Sequence, residues 1–162
     1  ITIGQSMKQR GWWCNYDTFV AATEGFPTKL YGNGNEGGQI YSYFELVDIL
    51  SKNAVYFYTG TRPASYTLNF MEAAFAGIPI VSVGEELVKF EGHNYFEVSL
   101  LLEKYRSGFF ANDINQLRSD IKLLMTNSTV AGFTSERAKK MADELFNAHK
   151  IRKEWQQLIE VL

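Results

Sequence analysis

Cysteine is almost absent from this chain. Cys14 stands alone, so no internal disulfide can form and a reducing, cytoplasmic setting is expected. Beside Trp12 and Trp13 it reads as a buried, inert thiol. Histidine is scarce as well. His93 and His149 lie far apart, and neither carries a metal-ligand spacing, so no metal site is expected. Neither sign of charge prevails: 16 basic residues face 18 acidic ones, for a net charge of -2. That removes the basic face that nucleic acid requires, and no nucleic-acid partner is expected. No apolar run approaches the ~20 residues that cross a bilayer. No secretory leader precedes the first residues either. "ITIG" reads as a strand already under way, so the chain is expected to be a piece of a longer protein.

What is present is a single domain over 1–162, 46% hydrophobic and 21% charged, which suits a packed core. Short β-rich runs alternate with helical periodicity. The expected strands are Ile1–Ser6, Thr28–Gly32, Ala54–Gly60, Ile78–Gly84 and Gly108–Asn112. The third and fourth are continuous apolar runs, as in strands covered on both faces. Tyr16, Phe19, Val20 and Thr23 share one helical face before Gly25. Ser42 and Glu45 have capping-box spacing, opening a helix that should bury Tyr43, Leu46, Val47 and Leu50. A third helix, Leu68 to Ala76, stops at Gly77 with Pro79 beyond it, and its apolar residues predict burial nearly all round. Further helices are expected over Asn94–Tyr105, after Asp113, over Ser135–Phe146 and over His149–Leu162. The alternation predicts an α/β fold, a Rossmann-like doubly wound parallel sheet. Ligands of such sheets bind beyond the carboxyl ends of the strands.

Two loops there draw attention. "GNGNEG" matches G-x-G-x-x-G through Gly32, Gly34 and Gly37, but no helix opens on it and no acidic residue ends a strand at the right distance. It reads as a turn of positive-φ glycines or as a loop lining a ligand. "TGTRPASYTLN" leaves a buried strand and enters a helix near Tyr66. Free N–H groups at Thr67, Leu68 and Asn69 would favour a phosphate, with Arg62 as a counter-charge. Glu72 lies one turn further on, on the side of Asn69. Its carboxylate could accept from two vicinal ribose hydroxyls, or simply sit on an exposed helix edge.

"ASYTLNFMEAAFAGIPIVSVG" resembles the donor-site segment of GT-B glycosyltransferases, in particular the large retaining family related to sucrose and glycogen synthases. Tyr66, Leu68, Glu72, Ala73, Phe75, Ala76, Gly77, Pro79 and Val81 fall in register with that segment. "GFFANDINQLRSDIKLLM" and "SERAKKMADELFN" are more weakly similar to the elements that follow it. The resemblance implies the C-terminal, donor-binding half of a GT-B fold. It implies that Glu72 binds the ribose of a nucleotide sugar, that the backbone at Thr67 and Leu68 holds the diphosphate, and that Arg10, or else Lys8, is the basic residue of the first loop. The donor would be a UDP- or GDP-type sugar, transferred without a metal or other cofactor.

The chain departs from the family twice. Ala64 stands where relatives have a first glutamate that contacts the donor, and Thr67 replaces the usual glycine. Two alternatives therefore stay open: a nucleotide-sugar epimerase of the same fold, and a binding module without catalysis. The acceptor and any general base would belong to an N-terminal half. The acceptor could be membrane-associated, with the enzyme peripheral at the inner face, and polysaccharide synthesis is the family-level expectation. Ile151, Trp155, Leu158, Ile159 and Leu162 form an apolar stripe, expected to meet that half, the chain's own domain, or a second copy.

Overall fold

The computed structural model describes residues 1–93 and 95–161. Five short strands are present: β1 (Thr2–Ile3), β2 (Leu30–Tyr31), β3 (Tyr56–Tyr58), β4 (Ile80–Val83) and β5 (Gly108–Ala111). Each falls inside an expected apolar run. All pairings are parallel, in two small sheets, β1-β2 and β3-β4-β5. Tyr56 pairs with Ile80 and Ile80 with Gly108, so the register carries straight across the larger sheet. Three bonds join the sheets among the described residues. The Ile1 amino group donates to the Val55 carbonyl at 2.7 Å. The Phe57 N–H donates to the Ile1 carbonyl at 2.8 Å, and the Thr2 hydroxyl donates to the Phe57 carbonyl at 2.7 Å. The strands therefore run β2-β1-β3-β4-β5, a doubly wound order. Every residue of β3 and β4 is buried, which is why those runs lack alternation.

Eight helices surround the strands: α1 (Met7–Arg10), α2 (Tyr16–Thr23), α3 (Tyr43–Ser51), α4 (Leu68–Ala76), α5 (Val98–Tyr105), α6 (Ile114–Thr126), α7 (Ser128–Phe146) and α8 (Ala148–Val161). The capping signals act as expected. The Ser42 hydroxyl accepts from the Glu45 N–H at 3.2 Å, while the Glu45 carboxylate accepts from the Tyr41 N–H at 2.8 Å. Asp113 caps α6 through the Gln116 N–H. Gly77 ends α4 at φ 72°, its N–H reaching the Ala73 and Ala74 carbonyls. Ala73 and Ala74 of α4 are buried, as are Ala138 and Ala142 of α7, and these small side chains let the two helices pack closely.

Several expectations are corrected. On α2, Ala22 is buried with Phe19 while Val20 is exposed. On α3 only Leu46 and Leu50 are buried. Tyr43 and Val47 are exposed, because α3 packs chiefly on one helix, α4, and one narrow stripe suffices to meet it. On α4, Leu68 and Phe75 are exposed, so that helix is covered on one side only. α5 begins at Val98; Asn94, expected to open it, lies outside the described residues. α7 begins at Ser128, capped by the Asn127 side chain on the Val130 N–H, seven residues before the expected start. On α8, Trp155, Leu158 and Ile159 are exposed, and Leu162 lies outside the described residues. Among the described residues no helix is long and apolar enough to cross a membrane.

Candidate functional site

The carboxyl ends of β1, β2 and β3 open into two adjoining cavities. The first, about 440 Å³, lies between the chain after β1 (Gly4, Gln5), the turn after β2 (Gly32, Asn33), the segment Gln39–Tyr43, and Asn69 and Glu72 of α4. The second, about 280 Å³, has Gly4 and Gln5 on one side, Arg10 and Cys14 on another, and Tyr58–Thr61 with Thr67 on a third. Ile3, Gly4, Gln5 and Asn69 line both, so the two adjoin along those residues in one cleft region.

The shape of the cleft comes from a few local choices. Gly32 sits at φ 112°, and a Cβ there would collide with the Gly4 carbonyl oxygen. Only glycine lets the ends of β1 and β2 approach this closely. Asn35 then braces the crossing. Its amide donates to the Gly4 and Tyr31 carbonyls, and its oxygen accepts from the Met7 N–H at 3.0 Å. "GNGNEG" is thus a braced turn with Gly32 and Gly34 at positive φ, and the next helix opens only at Tyr43. The Asn69 amide donates to the Ile3 carbonyl at 2.9 Å, fixing the start of α4 against the end of β1.

Of the residues expected from the sequence, Glu72, Thr67 and Arg10 line this cleft, with Glu72 in the larger cavity and the other two in the smaller. Leu68 opens α4. No side chain caps that helix among the described residues, and Thr67 gives only its carbonyl, to the Phe70 and Met71 N–H groups. Burial raises the Glu72 carboxyl above its ordinary value of 4.5. The same carboxylate is felt by Tyr56, whose hydroxyl burial pushes well above its usual range. Tyr58 lies against the smaller cavity. Burial raises its hydroxyl to about 12, and it sits beside Thr67 without the geometry of a hydrogen bond.

Four expected residues line neither cavity, the exposed Leu68 among them. Lys8 is exposed on α1 and lines neither cavity. Tyr66 packs inward, 5.4 Å from the Phe146 ring and 6.2 Å from the Phe70 ring. Arg62 is only 9% exposed, and its guanidinium donates to the carbonyls of Trp12, Leu87 and Lys89. With three of its N–H groups on backbone carbonyls and little of it exposed, it is a brace between two loops rather than a free counter-charge. Sequence reasoning missed Asn35, whose signal was only an Asn inside a glycine-rich turn. It also missed the helical turns over 7–14 that swing Arg10 to the cleft and bury Cys14.

No family model matches this chain, and no curated protein does. Solved structures do. The chain is similar over 99% of its length to sucrose-phosphate synthase from Thermosynechococcus elongatus, with a TM-score of 0.69 and 17% identity. WaaG, a glycosyltransferase involved in lipopolysaccharide biosynthesis, aligns over 88% with a TM-score of 0.55 and 13% identity. The spinosyn forosaminyltransferase SpnP aligns over 98% with a TM-score of 0.54 and 11% identity. The chain spans 46%, 42% and 43% of those chains. At these identities the likeness establishes the fold, that of one half of a GT-B glycosyltransferase.

Proposed function

We propose that this chain is the donor-binding half of a glycosyltransferase, and that its cleft holds a nucleoside diphosphate sugar. The observation that carries the reading is the adjacency of the two cavities on either side of Asn69. One offers an anion the uncapped N-terminus of α4 and Arg10. The other offers hydroxyls the Glu72 carboxylate. Helix amides and dipole favour a diphosphate by up to ~2 kcal/mol in partly buried geometry. Arg10 adds a charge-assisted contact. A ribose one turn along α4 meets Glu72, and the base extends toward Gln39–Tyr41, where the exposed Tyr41 ring stands at the rim.

In the full-length protein, the same amides and Arg10 would stabilise the nucleoside diphosphate as it departs, so the transfer would need no metal at that step. The acceptor, and any base that activates it, would come from an N-terminal half. The exposed stripe of α8 would lie against that half.

A second reading has one observation behind it. Among the described residues, no carboxylate or histidine lines the smaller cavity, where the donor sugar would emerge, and Ala64 stands in place of the family's glutamate. That favours a module that binds a nucleotide sugar without turning it over, and gives nothing to the epimerase alternative. Calorimetric titration with UDP, GDP and ADP tests the shared premise. One of them should bind, and Glu72→Ala should weaken it while leaving the melting transition cooperative. The absence of binding by all three in the full-length protein would reject the reading, and binding without sugar transfer there would select the module.

A further inference from the structure

A third cavity opens beside Arg62 and shares no lining residue with the cleft. It measures about 300 Å³ and is bordered by Trp12, Tyr16, Asp17, Thr18, Arg62 and Glu86. That is the lower end of the ~300–1,000 Å³ range of small-molecule sites. Trp12 is 54% exposed, a large apolar surface for a residue held so firmly. The Arg62 guanidinium lies 4.3 Å from its ring centroid, and its own carbonyl accepts from that guanidinium. Trp13 stands edge-on at 5.1 Å and Phe90 at 6.0 Å. Trp13 is pinned in turn, its carbonyl accepting from the Arg62 N–H at 2.9 Å. An exposed indole is therefore fixed in orientation before any ligand arrives, which lowers the ordering cost of binding.

The chemistry of the lining selects the ligand. Asp17 and Glu86 are acidic, Arg62 is basic, and Lys89 pairs with Glu86 at 2.6 Å, so the charges balance. Arg62 is only 9% exposed and gives three of its five N–H groups to carbonyls, which leaves little of it to grip an anion. The Trp12 ring already carries a cation, which disfavours a second. A neutral ligand remains. Asp17, Thr18 and the Tyr16 hydroxyl make no hydrogen bond or ion pair among the described residues, so they are free to meet the hydroxyls of a ligand. A ring with an apolar C–H face would suit the electron-rich indole.

We propose that this cavity binds a neutral saccharide, stacked at Trp12 and hydrogen-bonded by Asp17 and Thr18. The assignment goes beyond the donor-half reading, and its test does not depend on nucleotide binding. Tryptophan fluorescence of the protein is titrated with maltotriose, cellotriose and chitotriose. At least one should give a saturable change in the millimolar range, and Trp12→Ala or Asp17→Ala should weaken it about tenfold or more. Asp17 lies on the surface, so its variant serves if loss of Trp12 disturbs folding. Stabilisation by UDP, GDP and ADP is measured alongside. Saccharide binding with no response to UDP, GDP or ADP in the full-length protein would sink the donor reading and keep this site, and the reverse would do the opposite. No saturable change with any trisaccharide, or a change that persists in both variants, would overturn the proposal. So would protection of Trp12 and Trp13 from acrylamide quenching in the full-length protein, because another part of the chain would then occupy the surface.

Discussion

Arg62→Lys separates a phosphate contact from a structural brace, because it keeps the charge and removes the fork. In the structure the guanidinium reaches three carbonyls, on Trp12, Leu87 and Lys89, and lies against the Trp12 ring. A lysine ammonium at the end of a flexible stem cannot serve three acceptors that a planar fork serves together. At least two carbonyls lose their partner, at about 1 kcal/mol each, and a stacking contact of about 0.5–1 kcal/mol goes with them. The expected loss is about 2–4 kcal/mol. For a domain of this size that lowers the melting temperature by about 5–15 °C. UDP affinity, measured well below the melting transition, should stay within about twofold of the parent. A variant that melts with the parent but loses UDP affinity would refute the brace and restore Arg62 as a counter-charge.

Other substitutions probe the cleft. Burial raises the Glu72 carboxyl above 4.5, so the folded state holds that proton more tightly than the unfolded chain does. Glu72 then costs stability at neutral pH. The cost shrinks as pH falls from the raised folded value through 4.5, below which both states are protonated. Glu72→Gln should therefore melt at or above the parent at pH 7 and converge with it near pH 4. A variant that melts below the parent at pH 7 would show that the carboxylate has a stabilising partner. Gly32→Ala forces a Cβ into the Gly4 carbonyl at positive φ and should cost roughly 2–4 kcal/mol in urea unfolding. Stability within 0.5 kcal/mol (about the scatter of surface substitutions) would mean that the two strand ends do not cross so closely. Arg10→Ala should weaken UDP binding about five- to tenfold at low salt and less at high salt, without changing the melting temperature.

The strands were legible because burial on both faces leaves continuous apolar runs, and helix ends were legible where Ser42, Asp113 and Gly77 act locally. Exposure of helix faces was not. Tyr43 and Val47 share a periodic stripe with Leu46 and Leu50, yet whether a stripe is covered depends on how many neighbours a helix has. Glu72 stood out because one carboxylate in an apolar helix calls for a purpose. Arg62 misled for a related reason. A cation beside a helix start suggests a phosphate, whereas its three carbonyl partners come from segments 25 to 50 residues away and leave no local signal. Asn35 was hidden in the same way, its two carbonyl partners lying on different strands.

The most direct test of the central claim is amide chemical-shift mapping with a nucleoside diphosphate. Titration with UDP, and with GDP and ADP if UDP is silent, should perturb Gly4, Gly32, Leu68 and Asn69 together, the amides that border the two adjoining cavities and the start of α4. Perturbations confined to other surfaces, or none with any of the three in the full-length protein, would contradict a nucleotide-sugar cleft at this place in the fold.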